Sequence, residues 1–269
     1  MPIFKYKDIE INYIVRGKGE PLLCFQGLGQ SITSWTFQTP YFKRRMKVIA
    51  LDNRGVGKSS RPNYPYTMDM FIEESKALLD FLEIKEKVHL MGISMGGMIC
   101  QHFALKYPET VKTMILMATA AKMDPQPLIA QYKHFMEDMS WDDGFKERLK
   151  LMFSNEFFKR VEEDARLYDT LKNKMTQENP TTMQDYINRG AAISNHDTRD
   201  RLHEIIQPTL ILTGANDKII PSSESKILQD LIPNSRLEII SEYGHGSLLV
   251  EDAEKINNLI WDFIQEHLG

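Results

Sequence analysis

A serine flanked by glycines is the segment of this chain most suggestive of chemistry. It reads GISMG (92–96), with Ser94 at its centre. An apolar run, VHLMGI (88–93), leads into it, and a segment of helical periodicity, about 95–107, follows it. A G-x-S-x-G sequence between a strand and a helix predicts a strained turn that lifts the serine hydroxyl above the sheet edge. An ordinary serine in a glycine-rich turn is the alternative, and the flanking elements make it the weaker one.

A serine hydroxyl is a poor nucleophile, so it needs a base and an acid that orients the base. In a sheet built this way, the chain order is serine, then acid, then histidine. Asp217 follows the apolar run TLILT (209–213), and His245 lies between two glycines after the run LEII (237–240). The spacing therefore predicts a triad of Ser94, Asp217 and His245.

Alternatives to these two residues remain open at this point. Asp217 could simply form a turn or cap a helix, as aspartates often do. Asp124 follows an earlier strand and is the second choice for the acid, whereas Glu242 and Asp252 are weaker choices. Of the histidines, only His245 occupies the end of a C-terminal strand after the acid, although it could also be an ordinary loop histidine.

Acyl transfer also requires backbone N–H donors where negative charge develops on the carbonyl oxygen. The residue after the nucleophile, Met95, supplies one donor. The second donor should come from an early loop, CFQGLGQS (24–31), where Gly27 and Gly29 permit an unusual backbone path. We assign this second donor to the N–H of Leu28.

The elements that must position these residues alternate between strands and helices. The chain opens with a period-2 stretch (3–17), which predicts a hairpin at a sheet edge. Short runs that are apolar on both faces follow, and they predict parallel strands covered by helices on both sides. The runs are PLLCF (21–25), KVIAL (47–51), VHLMGI (88–93), TMILMA (113–118), TLILT (209–213) and LEII (237–240), with helical segments at about 67–83, 95–107, 222–231 and 250–267.

One region, from about residue 122 to residue 200, interrupts the alternation. It contains no convincing strand and predicts several helices rich in charge, methionine and aromatic residues. The helical segments are LIAQYKHFMEDM (128–139), DGFKERLKLMF (143–153), EFFKRVEEDARLYDTLKNKM (156–175) and TTMQDYINRGAAI (181–193).

Composition narrows the classes of function. The 269 residues suit one large domain or a domain with an insert, and the net charge of −4 offers no basic field for nucleic acid. Cys24 and Cys100 lie among apolar neighbours, so we expect buried thiols and no metal site. The N-terminal sequence lacks a signal peptide's apolar core, and no apolar run is long enough to span a membrane, so we expect a cytoplasmic protein. The sequence predicts no particular oligomeric state.

The stretch DNRGVGKSS (52–60) ends like a phosphate-binding loop but is not predicted to bind nucleotide. Such a loop needs glycine five positions before the Gly of G-K-S, where this chain has Asp52. It should also run directly into a helix, and here Pro62 and Pro65 follow.

These pieces together resemble the α/β-hydrolase superfamily over about residues 3–121 and 200–269. The motifs that carry the resemblance are LLCFQGLG, VIALDNRGVGKSSRP, GISMGG, GANDKIIP and GHGSLLVE. The second motif is similar to the family's D-x-R-G-x-G-x-S-x-x-P stretch. The resemblance implies that Asp52, Arg54, Gly55, Gly57 and Ser59 form a structural loop beside the active site, with Lys58 at a variable position.

The resemblance implies an α/β-hydrolase fold with a mostly parallel central sheet, flanking helices and a helical cap. The core would comprise residues 1–121 and 201–269, and the cap residues 122–200. Relatives usually have His-Gly where this chain has Gln26-Gly27, which puts loop geometry and substrate choice in doubt more than hydrolysis. Candidates for an apolar pocket are Gln26, Gly27, Phe135, Met136, Met139, Trp141, Met152 and Phe153, although most of the cap residues are expected to pack the cap's own core.

The function that follows is hydrolysis of small, mainly apolar or aromatic carboxylic esters or lactones through an acyl-enzyme, without metal or organic cofactor. The expected partner is a small-molecule substrate, with no nucleic acid and no membrane. The resembling branch also includes carbon–carbon bond hydrolases and cofactor-free haloperoxidases, so carbon–carbon cleavage is the second enzyme reading. A non-catalytic small-molecule receptor on the same scaffold is the alternative from another class.

Overall fold

The computed structural model describes residues 2–176 and 178–269. Eight strands of the described chain form one sheet in the order β1-β2-β4-β3-β5-β6-β7-β8. Pairing is antiparallel from β1 to β2 and from β2 to β4, and parallel between all other neighbours. The strands are β1 (Ile3–Tyr6), β2 (Ile9–Arg16), β3 (Pro21–Phe25), β4 (Lys47–Leu51), β5 (Val88–Ile93), β6 (Val111–Met117), β7 (Thr209–Gly214) and β8 (Ser235–Ile240).

The central strands are apolar on both faces because both faces of the sheet are covered. Every residue of β3, β5 and β7 is buried. Successive side chains point to opposite faces, so Leu22 and Cys24 pack in one hydrophobic cluster and Leu23 and Phe25 in the other. The predicted edge hairpin is present as β1 and β2, which turn at Lys7 with a φ of 52°.

Helices cover the two faces of the sheet. Helices α2, α3 and α9 contribute to the cluster that contains Leu23, whereas α1, α10 and α11 contribute to the cluster that contains Leu22. The sequence predicts one closing helix at about 250–267, but the structure has a short helix and then a longer one, whose N-terminus Asp252 caps. The six helices are α1 (Gln38–Phe42), α2 (Met68–Phe81), α3 (Met95–Lys106), α9 (Ser222–Leu231), α10 (Ser247–Val250) and α11 (Ala253–Gln265).

In the described residues between β6 and β7, the structure has five α-helices and no strand apart from an isolated bridge between Lys122 and Asp197, as the sequence predicts. The single helical segment predicted over 156–175 is wrong at Asp164, which ends one helix and caps the next by accepting the N–H groups of Arg166 and Leu167. The helices are α4 (Gln126–Glu137), α5 (Trp141–Met152), α6 (Asn155–Glu163), α7 (Ala165–Met175) and α8 (Met183–Ser194).

We call α4 to α8 the helical insertion. The division of the chain into core and cap at residues 122 and 200 stays a prediction. In the parts of the chain that the structure describes, no helix combines the length and the apolar character that crossing a membrane requires.

Candidate active site

Ser94 lies between β5 and α3, at the carboxyl end of a central strand. Its backbone has a φ of 55° and a ψ of −122°, a conformation that costs a non-glycine residue about 1–3 kcal/mol. Two hydrogen bonds hold it there: the Ser94 N–H donates to the Met117 carbonyl at 2.8 Å, and the Thr119 hydroxyl donates to the Ser94 carbonyl at 2.8 Å. The strained turn therefore rests on β6 and on the residues that follow it.

Glycines on both sides of Ser94 are required by close backbone packing. A Cβ atom on Gly96 would collide with the carbonyl group of Phe25, and one on Gly92 would collide with the carbonyl group of Gly96. The first turn of α3 can thus pack directly against the ends of β3 and β5. This contact explains why the nucleophile pattern needs glycine at both positions.

Asp217 and His245 are in contact, as the triad hypothesis requires. His245 Nδ1 lies 2.7 Å from Asp217 Oδ2, and both side chains are buried. The other carboxylate oxygen, Asp217 Oδ1, accepts the N–H groups of Ile219 and Ile220, each at 2.8 Å. An ionised carboxylate can only accept hydrogen bonds, so this pairing assigns a ring proton to Nδ1, and in a neutral imidazole Nε2 then carries the lone pair.

The other carboxylates considered for the acid lie elsewhere. Asp124 is exposed and accepts the N–H of Gln126 at 3.0 Å in a turn before α4. Asp252 caps α11, and Glu242 is an exposed residue with a φ of 66°. Among the described residues only Asp217 forms an ion pair with His245.

Ser94 and His245 line the same small cavity. Its volume is about 20 Å³, which is room for about one water molecule. The helical insertion contributes three side chains to its lining, Leu128, Tyr132 and Met152. The complete lining is Gly27, Leu28, Gln30, Ile93, Ser94, Leu128, Tyr132, Met152, Ile219 and His245.

The two backbone N–H groups predicted to hold an oxyanion have no acceptor within the described part of the chain. Leu28 lines the cavity, and Met95 is the first residue of α3, so its N–H is one of the unpaired donors of a helix N-terminus. Gly29, with a φ of 72°, turns the Leu28 loop toward α8. Their role as oxyanion donors stays a prediction.

Arg189, which sequence reasoning did not single out, holds this loop in place. Its guanidinium donates to the carbonyl of Gly27 at 3.2 Å and to that of Arg54 at 3.5 Å. The side chain is completely buried, and the burial lowers the pKa of Arg189 to about 10. The sequence feature that could have identified Arg189 is its position on the apolar face of the predicted helix that contains YINRGAAI.

Gln26, which departs from the His-Gly pattern implied by the resemblance, lies directly after β3. Its side chain is fully buried, and Nε2 donates to the carbonyl of Leu51 at 2.8 Å. This bond ties the loop after β3 to the end of β4. The geometry fits a supporting role for Gln26, since the residue is absent from the described lining of the cavity at Ser94.

The other pocket candidates fall into separate places. Phe135, Met136 and Trp141 line a larger cavity of about 310 Å³ within the helical insertion. Met152 lines the cavity at Ser94. Both Met152 and Phe153 line a third cavity of about 80 Å³, which we call the intermediate cavity because its volume lies between those of the other two. Met139 packs against the main hydrophobic cluster.

The stretch that is similar to a phosphate-binding loop, residues 52–60, connects several segments of the chain by hydrogen bonds. The Asp52 carboxylate accepts hydrogen bonds from the N–H groups of Ile32 and Lys58 and from the side-chain amide of Asn12. A side chain on Gly57 would collide with that carboxylate. Lys58 Nζ points away and lies 2.8 Å from an exposed carboxylate oxygen of Glu178.

Comparisons with known proteins show which family the chain matches. A family model described as alpha/beta hydrolase fold matches residues 20–252. The chain is 29% identical to 3-oxoadipate enol-lactonase 2 of Acinetobacter baylyi, over 97% of each chain. It is 27% identical to 2-hydroxymuconate semialdehyde hydrolase of a Pseudomonas species, over 96% of this chain and 91% of the relative.

Solved structures show the same fold. The crystal structure of the enol-lactonase from Burkholderia xenovorans superposes with a TM-score of 0.84 at 22% identity and covers 98% of this chain and 100% of that chain. These similarities confirm the fold class that the sequence predicts. The roles of individual residues at the site stay predictions.

Proposed function

The chain belongs to the alpha/beta hydrolase family, and we propose that it is a serine hydrolase of carboxylic esters or lactones. One observation carries the proposal: His245, whose Nδ1 lies 2.7 Å from the buried carboxylate of Asp217, lines the same cavity as Ser94, a serine held in a strained turn. Three residues that are far apart in sequence meet with the chemistry that nucleophilic catalysis requires.

In the proposed first step, His245 Nε2 takes the proton from the Ser94 hydroxyl as Oγ attacks the carbonyl carbon. Asp217 keeps the proton of the ring on Nδ1 and stabilises the imidazolium that forms. The N–H groups of Leu28 and Met95 stabilise the oxyanion. His245 then protonates the leaving oxygen, and the carbon–oxygen bond of the ester or lactone breaks.

In the proposed second step, water hydrolyses the acyl-enzyme. His245 Nε2 deprotonates the water, whose oxygen attacks the acyl carbon, and the proton passes back to Ser94 Oγ as the acid leaves. The bond changes use groups of this chain and water alone.

The substrate must be small or must displace side chains of the helical insertion. The cavity at Ser94 is only about 20 Å³, and apolar residues close it. Met152 is flexible and separates it from the intermediate cavity, so rotation of that side chain would enlarge the space for an acyl group. The similarity to an enol-lactonase supports lactones among the substrates.

The similarity to 2-hydroxymuconate semialdehyde hydrolase favours a second candidate, hydrolysis of a carbon–carbon bond next to a ketone. The same triad and oxyanion donors would serve both reactions, so the substrate has to be determined directly.

A substrate panel tests the proposal. We would measure kcat/KM for 4-nitrophenyl acetate and butanoate, a five-membered and a six-membered lactone, and a dienoic vinylogous diketone. Ester or lactone turnover that disappears in Ser94→Ala and persists in Ser223→Ala, an exposed serine on α9, supports the proposal. Faster turnover of the diketone would instead establish the second candidate.

Absence of turnover with the whole panel would contradict the proposed esterase activity. A panel compound that raises the melting temperature without being consumed would then identify the chain as a small-molecule receptor.

A further inference from the structure

Arg148 lies at the junction of two cavities in the helical insertion. It lines both the cavity of about 310 Å³ and the intermediate cavity of about 80 Å³. Among the described residues of both linings it is the one charged side chain. Its neighbours are mostly apolar or aromatic, including Phe145, Met152 and Met175.

The guanidinium of Arg148 is not neutralised within the described chain. It stacks on the ring of Tyr132, with 5.1 Å between the guanidinium carbon and the ring centroid, and it donates to the Tyr186 hydroxyl at 3.3 Å. It forms no ion pair with a carboxylate of the described residues, in contrast to Arg54 with Glu74 and Arg61 with Asp185. Apart from the bond to Tyr186, its N–H groups have no hydrogen-bond acceptor among the described residues.

A cation in such a setting is costly without a partner. Partial removal of water weakens the solvation of the guanidinium, and neither the stacked ring of Tyr132 nor the Tyr186 hydroxyl is a carboxylate that could pair with the charge. The planar fork of an arginine fits a carboxylate with two parallel hydrogen bonds. A phosphate dianion would call for further cations, and the described linings contain none.

The position of Arg148 connects it to the reacting serine. Tyr132, on which the guanidinium stacks, also lines the cavity at Ser94. Gln30 and Met152 line both that cavity and the intermediate one. Arg148 is therefore one layer of side chains away from the cavity that holds Ser94.

The cavity of about 310 Å³ opens to solvent. Met136 and Trp141 in its lining are 41% and 54% exposed. A carboxylate entering from this side meets Arg148 between the surface and the catalytic serine.

We infer that Arg148 binds a carboxylate of the substrate and makes the enzyme selective for monoanionic esters or lactones whose charge is separated from the scissile carbonyl by an apolar stretch. This inference rests on the proposed ester or lactone hydrolysis. It refines the sequence-based expectation of a mainly apolar substrate by adding one negative charge.

Matched ester pairs test the inference. The first pair is the 4-nitrophenyl monoester of hexanedioic acid and the mixed methyl 4-nitrophenyl diester of the same acid. The charge of the anionic member lies on the acyl part. The second pair is 4-(butanoyloxy)benzoate and its methyl ester. The charge of the anionic member lies on the leaving group. The measured quantity is the ratio of kcat/KM for the anionic over the neutral member of each pair.

In the wild type we expect the anionic member of at least one pair to be favoured by about 10- to 100-fold, which is the contribution of a hydrogen-bonded charge pair. Arg148→Met should abolish this preference, and Arg148→Lys should retain part of it. Arg160→Met is the matched control, because Arg160 is an exposed arginine of the insertion that stacks on Phe157 outside both linings. It should keep the wild-type ratio.

A ratio near one in the wild type for both pairs, or a preference that survives Arg148→Met, would overturn the inference while leaving the proposed hydrolysis standing. If the wild type hydrolyses none of the esters, the proposed function fails separately, and binding decides the inference. Calorimetric titration of Ser94→Ala with 4-phenylbutanoate and with 4-phenylbutanamide should show at least tenfold tighter binding of the anion, lost on adding Arg148→Met. Equal binding of the two compounds would refute the role of Arg148.

Discussion

Replacing Asp217 with asparagine tests how the triad works with the smallest change in shape. The carboxylate accepts three hydrogen bonds: from His245 Nδ1 at 2.7 Å and from the N–H groups of Ile219 and Ile220 at 2.8 Å. An asparagine can keep the two backbone donors on its oxygen, which places its NH₂ group against the imidazole. Because NH₂ cannot accept a hydrogen bond, His245 is expected to move its proton to Nε2.

The expected loss of activity follows from that tautomer. An imidazole protonated at Nε2 cannot take the proton of Ser94, and the charge of the imidazolium also loses its partner. We expect kcat to fall by about 10⁴-fold, the size found when a serine–histidine pair loses its aspartate in this way. At 1.36 kcal/mol for each tenfold, the barrier rises by about 5 kcal/mol. KM should change little, because Asp217 does not contribute to the described lining of the cavity at Ser94.

The assay is initial-rate kinetics on the best substrate of the panel, with near-ultraviolet circular dichroism to verify that the variant folds. Asp124→Asn is the control, since Asp124 is the other carboxylate that the sequence offers strongly. It should retain wild-type kcat because it caps an exposed turn. Retention of more than a tenth of kcat in a folded Asp217→Asn variant, or collapse of activity in Asp124→Asn, would refute the assignment.

Three further predictions concern packing, pH and the loop after β3. Gly96→Ala should lower the free energy of unfolding by about 2 kcal/mol or more, because the new methyl group collides with the Phe25 carbonyl. Urea unfolding measures this change, and unchanged stability would show that the backbone contact can relax. Burial beside His196 lowers the pKa of His102 from 6.5 to about 4, so protonation favours the unfolded chain and stability should fall as the pH drops from 6.5 to 4. His102→Gln should make that fall shallower by about 1–3 kcal/mol in urea titrations at pH 7 and 4.5, and an identical slope would contradict the shift. Gln26→His should preserve ester hydrolysis within about tenfold while changing the order of preferred substrates, because Gln26 supports the loop after β3 through its Nε2 hydrogen bond. Complete loss of activity in a folded variant would show that the amide itself is essential.

Much of the fold follows from local patterns in the sequence. The buried strands were predictable within one or two residues, because a strand covered on both faces has to be apolar where it is buried, as PLLCF (21–25) and VIAL (48–51) are. The helix break at Asp164 was not predictable from periodicity, since apolar residues continue at helical spacing through it. The same aspartate can lie within an exposed helix or cap a new one, and packing of the insertion decides between these states.

The candidate site divides in the same way. Ser94 and His245 could be identified because each occupies a glycine-flanked turn at a strand end, where the backbone conformation restricts which residues fit. Arg148 could not, because the insertion contains several arginines and only the tertiary contacts separate Arg148 from an exposed one such as Arg160. Local constraint is visible in a sequence, whereas the environment of a long charged side chain is not.

Labelling with a fluorophosphonate probe tests the central claim most directly, because the probe reports an activated serine without requiring the natural substrate. Mass spectrometry of the labelled protein should locate one adduct on Ser94. Ser94→Ala should give no adduct, His245→Ala should label far more slowly, and Ser223→Ala should label like the wild type. A folded wild-type protein that remains unlabelled, or an adduct that forms equally in Ser94→Ala, would contradict the account of Ser94 as a nucleophile activated by His245 and Asp217.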